Sequence, residues 1–171
     1  MGKRSNFERV ERDYYKTPIE AVAPLLPHLP NGATFFEPCA GDGTLVRHLE
    51  AAGHFCKYAS DIVPDGPSVY KRNAMDITYV MSDYIITNPP WDRKILHPMI
   101  EKFSSLRPTW LLFDADWMHT KQSAPYMKRC NTVVSVGRVK WFPETKMTGK
   151  ENVCWYLFDR SETSTQFFGR P

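Results

Sequence analysis

Three short apolar runs of this chain each end in turn-forming and polar residues, and this pattern constrains the fold more than any other feature. The runs cover residues 33–40, 55–59 and 83–87. Apolar runs of this length, bounded by turn residues, are typical of strands that are buried on both faces. Apolar residues recur at helical spacing over 45–52 and again over 93–106. The pattern therefore predicts strands that alternate with helices.

The carboxyl-terminal half continues this alternation and then departs from it. A strand is predicted over 110–113, a short helix over 124–129, and two consecutive strands over 132–142 and 153–159. Pro98 should kink the helix over 93–106 or mark its late start. This order is typical of an α/β, doubly wound, mostly parallel Rossmann-like sheet with an antiparallel edge strand near the carboxyl terminus. Sheets of this class bind ligands beyond the carboxyl ends of their strands.

Size and composition exclude several classes of protein. With 171 residues, the chain can bury one core but is too short for two full domains, so we expect a single domain over 1–171. Its four cysteines form no CxxC pair, so the sequence predicts no metal site and no disulfide framework, and a cytoplasmic location is expected. No apolar run approaches the roughly 20 residues of a membrane span. The net charge of +3 permits a polyanionic partner without identifying one.

The polar residues after the first two runs favour a nucleoside ligand. Gly41 and Gly43 permit a tight turn and the close approach of a ligand. Asp61, after the second run, can accept hydrogen bonds from two vicinal ribose hydroxyls. No third glycine follows at the spacing of a pyrophosphate-binding loop, so a nucleoside without pyrophosphate fits better than a dinucleotide. A plain strand-to-helix turn and an exposed loop aspartate are the alternatives.

The most specific signal is the sequence Asn88-Pro89-Pro90-Trp91 after the third run. Two consecutive prolines stiffen the turn and hold the Asn88 amide and the Pro89 carbonyl in fixed directions. These two oxygens can accept both hydrogens of an amino group, and Trp91 can stack on a planar ring. The sequence therefore predicts a site for an amino group on an aromatic base, the alternative being a stiff loop with Trp91 as a lid over the core.

Together with Phe36-Glu37-Pro38-Cys39-Ala40-Gly41-Asp42-Gly43, the segment Ile86-Thr87-Asn88-Pro89-Pro90-Trp91 resembles the motifs of amino-group DNA methyltransferases. The resemblance is specifically to small adenine-N6 enzymes of the phage and prophage type, within the class I S-adenosylmethionine-dependent superfamily, and it spans most of the chain. It implies methyl transfer from S-adenosylmethionine to the exocyclic N6 of a flipped-out adenine in DNA, as in restriction-modification.

The resemblance also implies a set of cofactor-binding residues. Tyr14-Tyr15-Lys16-Thr17-Pro18 is similar to the family's amino-terminal motif, which holds the methionine end of the cofactor, although Thr17 also begins a good helix capping box. Asp61 and Ile62 match the ribose and adenine-edge position, and Asp76 the position near the adenine amino group. The full set is Tyr15, Thr17, Pro18, Glu37, Pro38, Ala40, Gly41, Asp42, Gly43, Asp61, Ile62, Asp76 and Asn88.

On the target side, the catalytic residues implied are Asn88, Pro89, Pro90 and Trp91. Trp91, Lys140 and Trp141 are candidates for binding the flipped base and the phosphates, with Lys146 and Lys150 nearby; a solvated hairpin is the alternative. Asp114, Asp116 and His119 either line the target pocket or cap a loop.

Several alternatives remain open from the sequence. Adenine in RNA and the amide nitrogen of a protein glutamine are the competing acceptors, and an inactive, cofactor-binding partner subunit is the competing role. Larger members of the family carry a separate target-recognition domain, for which this chain has no room. Recognition is therefore expected from loops or from a second subunit, for example in a homodimer.

Overall fold

A computed structural model describes Glu11, residues 14–146 and residues 148–171. The strands are β1 (Thr34–Glu37), β2 (Phe55–Asp61), β3 (Tyr70–Lys71), β4 (Tyr84–Thr87), β5 (Thr109–Asp114), β6 (Cys130–Arg138), β7 (Asn152–Phe158) and β8 (Gln166–Phe168). The α-helices are α1 (Ile19–Val22), α2 (Thr44–Ala51), α3 (Arg93–Leu106) and α4 (Ala124–Met127). Short 3-10 turns cover Ala23–His28, Ala74–Asp76, Ala115–His119 and Lys121–Ser123.

The eight strands form one sheet in the order β3-β2-β1-β4-β5-β7-β6-β8. The pairs from β3 to β5 are parallel, β7 is antiparallel to both β5 and β6, and β8 is parallel to β6. The predicted doubly wound, mostly parallel sheet with an antiparallel strand near the carboxyl terminus is confirmed. The antiparallel strand lies inside the sheet, because β6 and then β8 continue the sheet beyond it. The chain order reverses between β1 and β4, which is where such sheets bind ligands.

Apolar side chains on both faces of the central strands explain why helices cover both sides. On β1, Phe35 packs into the cluster that contains Leu45 and Leu49 of α2, whereas Phe36 packs into the cluster that contains Leu96 and Phe103 of α3. Burying a side chain of this size stabilises the fold by about 1.5–3 kcal/mol. The alternation along β1 therefore fixes the two helices on opposite faces of the sheet.

Helix α3 begins at Arg93, so the late start that Pro98 could have imposed does not occur. Asp92 caps the helix by accepting a hydrogen bond from the backbone N–H of Lys94 at 3.0 Å. Pro98 is exposed, so the backbone carbonyl that its missing N–H leaves unpaired can be hydrated. No helix among the described residues is long and apolar enough to cross a bilayer.

The end of β6 differs from the prediction. The strand stops at Arg138 instead of continuing to residue 142, after Gly137 adopts a φ of 86° and the pairing with β7 shifts register. Lys140 and Trp141 therefore lie in the loop between β6 and β7. A bulge at a left-handed glycine interrupts the regular ladder, and the apolar pattern of residues 139–142 does not reveal it.

Candidate active site

A cleft of about 870 Å³ opens at the carboxyl ends of β1, β2 and β4. Its walls include residues 14–17, the loop after β1, the loop after β2, residues 73–75, the residues that link β4 to α3, and two residues of α3. The sequence motifs that lie far apart in the chain thus converge at the reversal of the strand order. The predicted site residues that line the cleft are Tyr15, Thr17, Glu37, Pro38, Ala40, Gly41, Asp42, Asp61, Ile62, Asn88 and Pro90.

The loop after β1 depends on two glycines. Gly41 and Gly43 have φ values of 53° and 78°, in the left-handed region that favours glycine. A Cβ atom on Gly41 would overlap the ring of Tyr14, which lies directly against this residue. The backbone N–H of Gly41 donates to a side-chain oxygen of Asp61 at 2.9 Å. The glycine loop is therefore held between the amino-terminal segment and the end of β2.

Asp61 joins the two loops that border the cleft. Its Oδ2 accepts the hydrogen bond from the Gly41 N–H, and its Oδ1 accepts one from the Val63 N–H, both at 2.9 Å. A carboxylate has about four acceptor positions, so both oxygens can accept further hydrogen bonds. Since Asp61 lines the cleft, those positions are available to a pair of ligand hydroxyls.

Asp42 organises the start of α2. Its Oδ1 accepts hydrogen bonds from the backbone N–H and the hydroxyl of Thr44, at 2.9 and 2.6 Å. Its Oδ2 lies 3.1 Å from the ammonium of Lys16 and 3.5 Å from the guanidinium of Arg47. Burial disfavours the charged form, but the hydrogen bonds from Thr44 and Lys16 outweigh it and lower the pKa of Asp42. Asp42 is thus an ionised anchor for residues 14–17.

Glu37 is a buried carboxyl group on the floor of the cleft. Its side chain is only 2% exposed, and its Oε2 has no hydrogen-bond partner among the residues that the structure describes. Burial raises the pKa of Glu37 well above its usual range, and the negative charge of Asp61 raises it further. A buried carboxyl oxygen without a hydrogen-bond partner is costly, so this position favours a cationic or hydrogen-bond-donating ligand.

The charges that line the cleft are mostly negative. In the described part of the chain, the lining contains Lys16 and the acidic residues Glu11, Asp42, Asp61, Asp65 and Asp92, besides Glu37, whose raised pKa favours its neutral form. Lys16 is already paired with Asp42. Such a lining disfavours the phosphates of a dinucleotide and favours a ligand that carries positive charge.

Hydrogen bonds orient the side-chain amide of Asn88 from both ends. Its Nδ2 donates to the hydroxyl of Thr17 at 3.3 Å and to the backbone carbonyl of Tyr15 at 3.5 Å. Its Oδ1 accepts a hydrogen bond from the indole Nε1 of Trp91 at 3.3 Å, and this Nε1 also lies 3.2 Å from the carbonyl of Leu112. Asn88 itself is half-buried and lines the cleft.

Comparison with known proteins identifies the fold. No protein-family model matches the sequence, and no curated protein matches it. Among solved structures, the methyltransferase subunit of a type I restriction-modification system from Streptococcus thermophilus superposes with a TM-score of 0.61 at 9% identity, over 91% of this chain and 47% of that one. A Listeria monocytogenes protein named provisionally as a class I S-adenosylmethionine-dependent methyltransferase gives 0.59 at 10% identity, over 96% and 68%.

A third structure matches the chain nearly end to end. A Pyrococcus horikoshii protein named provisionally as an RNA methyltransferase superposes with a TM-score of 0.57 at 17% identity, over 93% of this chain and 92% of that one. This chain has the class I methyltransferase fold. It spans about half the length of the Streptococcus subunit, and the low identities establish the fold alone.

Some residues predicted for the site of this methyltransferase fold lie outside the cleft lining. They are Pro18, Gly43, Asp76, Pro89, Trp91, Lys140 and Trp141. Gly43 caps the start of α2, and Asp76 is exposed at the end of a 3-10 turn whose Asn73, Ala74 and Met75 do face the cleft. The Asn73 side chain caps this turn by accepting a hydrogen bond from the Met75 N–H, and the role of Asp76 in cofactor binding stays a prediction.

The aromatic residues near Asn88 pack against one another. Trp91 is half-buried, and its ring meets that of Trp141 edge to face at a centroid distance of 5.9 Å. Tyr15 lies 5.7 Å from Trp141 and 5.8 Å from Phe142. The indole of Trp91 packs against both core clusters and does not line the cleft, and its role as a stacking surface for a base stays a prediction.

Of the remaining candidates after β5, Asp114 caps the 3-10 turn Ala115–His119, within which Asp116 and His119 lie. Asp114 accepts a hydrogen bond from the backbone N–H of Asp116 at 3.0 Å, and Asp116 and His119 are exposed. None of the three lines the cleft. Sequence reasoning missed Asp65, Ile95 and Met99 as cleft residues. Ile95 and Met99 lie one turn apart on α3, so their helical spacing could have indicated a shared face.

Proposed function

We propose that this chain is an S-adenosylmethionine-dependent methyltransferase that methylates the exocyclic N6 of adenine in DNA. The observation that carries the proposal is the oriented amide of Asn88, whose oxygen serves as an acceptor in the cleft that also contains the glycine loop and Asp61. The fold shared with a restriction-modification methyltransferase subunit supports DNA as the substrate. A cytoplasmic location and a homodimer remain predictions from the sequence.

The lining of the cleft fits S-adenosylmethionine. When bound, this cofactor supplies a methyl group on a sulfonium centre, and its methionine end carries an ammonium group. The Oε2 of Glu37, which has no hydrogen-bond partner among the described residues, can accept a hydrogen bond from that ammonium group, whose positive charge would favour the ionised form of Glu37. Both oxygens of Asp61 retain acceptor positions for ribose hydroxyls. Ile62 and Met75 are apolar residues of the lining that suit the faces of a purine.

Asn88 and Pro89 address the chemical difficulty of this acceptor. The lone pair of an exocyclic amino group is delocalised into the purine ring, which makes the nitrogen a poor nucleophile. An acceptor at each amino hydrogen, the Asn88 Oδ1 and the Pro89 carbonyl, draws the nitrogen towards a tetrahedral geometry. The nitrogen gains positive charge as it reacts, so the two oxygens stabilise the transition state more than the ground state.

Access to a base in a duplex requires that it be flipped out, at a cost of a few kcal/mol. The loop between β6 and β7 carries Lys140, Trp141, Lys146 and Lys150 and packs against Tyr15 beside the cleft. Its lysines suit phosphates, and its aromatic rings suit unstacked bases. We therefore assign the target strand to this loop.

Methyl transfer from labelled S-adenosylmethionine tests the proposal. Unmethylated genomic DNA, total RNA and a protein extract are offered separately, and the modified nucleosides or residues are identified after digestion. Asn88→Ala is compared with Asn152→Ala, the same change at an exposed position at the start of β7. Transfer to N6 of adenine in DNA that is lost only in Asn88→Ala is expected.

Each other result leads to a different function. Labelled adenine in RNA, or labelled glutamine, retains the chemistry and replaces the substrate. Cofactor binding without transfer to any of the three acceptors contradicts the proposal and favours the inactive partner subunit.

A further inference from the structure

The geometry points to Trp91 as a positioning residue, whose indole N–H sets the side-chain oxygen of Asn88 as the acceptor for the target amino group. This inference rests on the proposed function and assigns Trp91 a role other than base stacking. It follows from the donors and acceptors around Asn88, from the anchoring of the indole, and from the acceptor position that remains on the Asn88 oxygen.

The two ends of the Asn88 amide meet partners of opposite and fixed character. A backbone carbonyl such as that of Tyr15 can only accept a hydrogen bond, and an indole N–H can only donate one. Rotation of the amide by half a turn would set the Asn88 oxygen against the Tyr15 carbonyl and the Asn88 nitrogen against the Trp91 N–H. Both hydrogen bonds would break, so the surroundings specify which atom of Asn88 accepts.

The indole is itself held in place. Its Nε1 is shared between the Asn88 oxygen and the carbonyl of Leu112 on β5, 3.2 Å away. The half-buried ring packs on both core clusters and meets the edge of Trp141 at 5.9 Å. A donor anchored to the central sheet can therefore position the Asn88 oxygen with the precision that a reacting group requires.

One acceptor position of Asn88 remains for the substrate. A carbonyl oxygen has two lone pairs, of which Trp91 occupies one, and Asn88 lines the cleft.

Phenylalanine at position 91 would keep an aromatic ring but remove the donor. Because ring stacking does not require the N–H, the two roles predict different results for the same substitution.

Trp91→Phe separates the positioning role from stacking. We expect kcat to fall by roughly tenfold to a hundredfold, as for a misplaced catalytic group, with KM for the nucleic acid and for the cofactor within about twofold of wild type. Addition of Trp91→Phe to Asn88→Ala should lower kcat little further, because each change removes the same function, the positioned acceptor oxygen of Asn88. Trp155→Phe is the matched control: its buried indole donates to the Ala21 carbonyl and does not line the cleft.

A second readout does not depend on activity. The side-chain amide of Asn88, assigned in nuclear magnetic resonance spectra by its disappearance in Asn88→Ala, should exchange its hydrogens severalfold faster in Trp91→Phe and at the wild-type rate in Trp155→Phe. Unchanged exchange in Trp91→Phe, or an unchanged kcat with a raised KM for nucleic acid, overturns the inference, the latter in favour of stacking. Wild-type protein without transferase activity contradicts the proposed function, and the exchange rates then decide the positioning role alone.

Discussion

The hydroxyl of Thr17 lies 3.3 Å from the side-chain nitrogen of Asn88, which is 71 residues further along the chain. Thr17 is 4% exposed and directly precedes Pro18 and α1, whereas Asn88 follows β4. The amino-terminal motif therefore contacts the candidate catalytic residue as well as the cofactor cleft. This contact makes the orientation of Asn88 depend on a segment that also touches the glycine loop through Tyr14.

Substitution of Thr17 tests this dependence. Thr17→Val preserves the shape of the side chain but removes the acceptor for Asn88, so we expect kcat to fall by about fivefold to tenfold, the effect of roughly 1–1.5 kcal/mol for one hydrogen bond. Thr17→Ser retains the hydroxyl and should retain most of kcat. Steady-state kinetics with saturating cofactor measure both. Equal activity of the two variants would show that the Thr17 hydroxyl does not orient Asn88.

Gly41→Ala should damage the cofactor loop beyond the cost of backbone strain. Gly41 has a φ of 53°, and an added Cβ would overlap the ring of Tyr14. Gly53 also has a positive φ, of 90°, but a Cβ there meets nothing within 4 Å. Strain alone predicts a loss of about 1 kcal/mol of unfolding free energy for either variant. Displacement of Tyr14 should add to the loss at Gly41 and weaken cofactor binding.

Urea unfolding and calorimetric titration with S-adenosylmethionine distinguish the two glycine variants. Gly53→Ala is expected to bind the cofactor as the wild type does. If both variants lose the same stability and neither loses affinity, Tyr14 does not hold the glycine loop in its left-handed conformation.

The stability of the protein should depend on pH through Glu37. The pKa of this buried carboxyl group is raised well above its ordinary value of 4.5, so the folded protein binds a proton more tightly than the unfolded chain. The contribution of Glu37 to stability is therefore complete below about pH 4.5 and is lost as the pH rises towards the folded-state pKa. Glu37→Gln, which cannot ionise, should become more stable relative to wild type as the pH rises from about 5 to about 8.

Urea unfolding without cofactor at several pH values measures the Glu37 effect. Glu50→Gln provides the control, because Glu50 is exposed on α2. A stability difference between Glu37→Gln and wild type that stays constant over this range contradicts the assignment of Glu37 as a buried acid with a raised pKa.

How far the sequence predicts this site depends on whether each feature is local. The glycine loop, Asp61 and Asn88 follow buried strands, and the ends of parallel strands meet at one edge, so their convergence could be predicted. The direction of the Trp91 indole could not, because it depends on the Leu112 carbonyl and on Trp141, two partners remote in sequence. β3 and β8 could not be predicted either, because they have only two and three residues, too few to show a pattern of apolar and polar side chains.

The salt dependence of nucleic-acid binding tests the role assigned to the loop between β6 and β7. Lys146 and Lys150 are exposed in that loop, and the removal of each phosphate-binding lysine should reduce the slope of log K against log salt by about 0.7–0.9. The double variant Lys146→Ala, Lys150→Ala should therefore bind DNA more weakly at low salt and approach the wild type at high salt.

Affinity for S-adenosylmethionine should not change, since neither lysine lines the cleft. The double variant Lys57→Ala, Lys71→Ala, at exposed positions on β2 and β3, controls for the loss of two positive charges. A slope that falls equally in the control and in the loop variant would mean that the loop neutralises no specific phosphate.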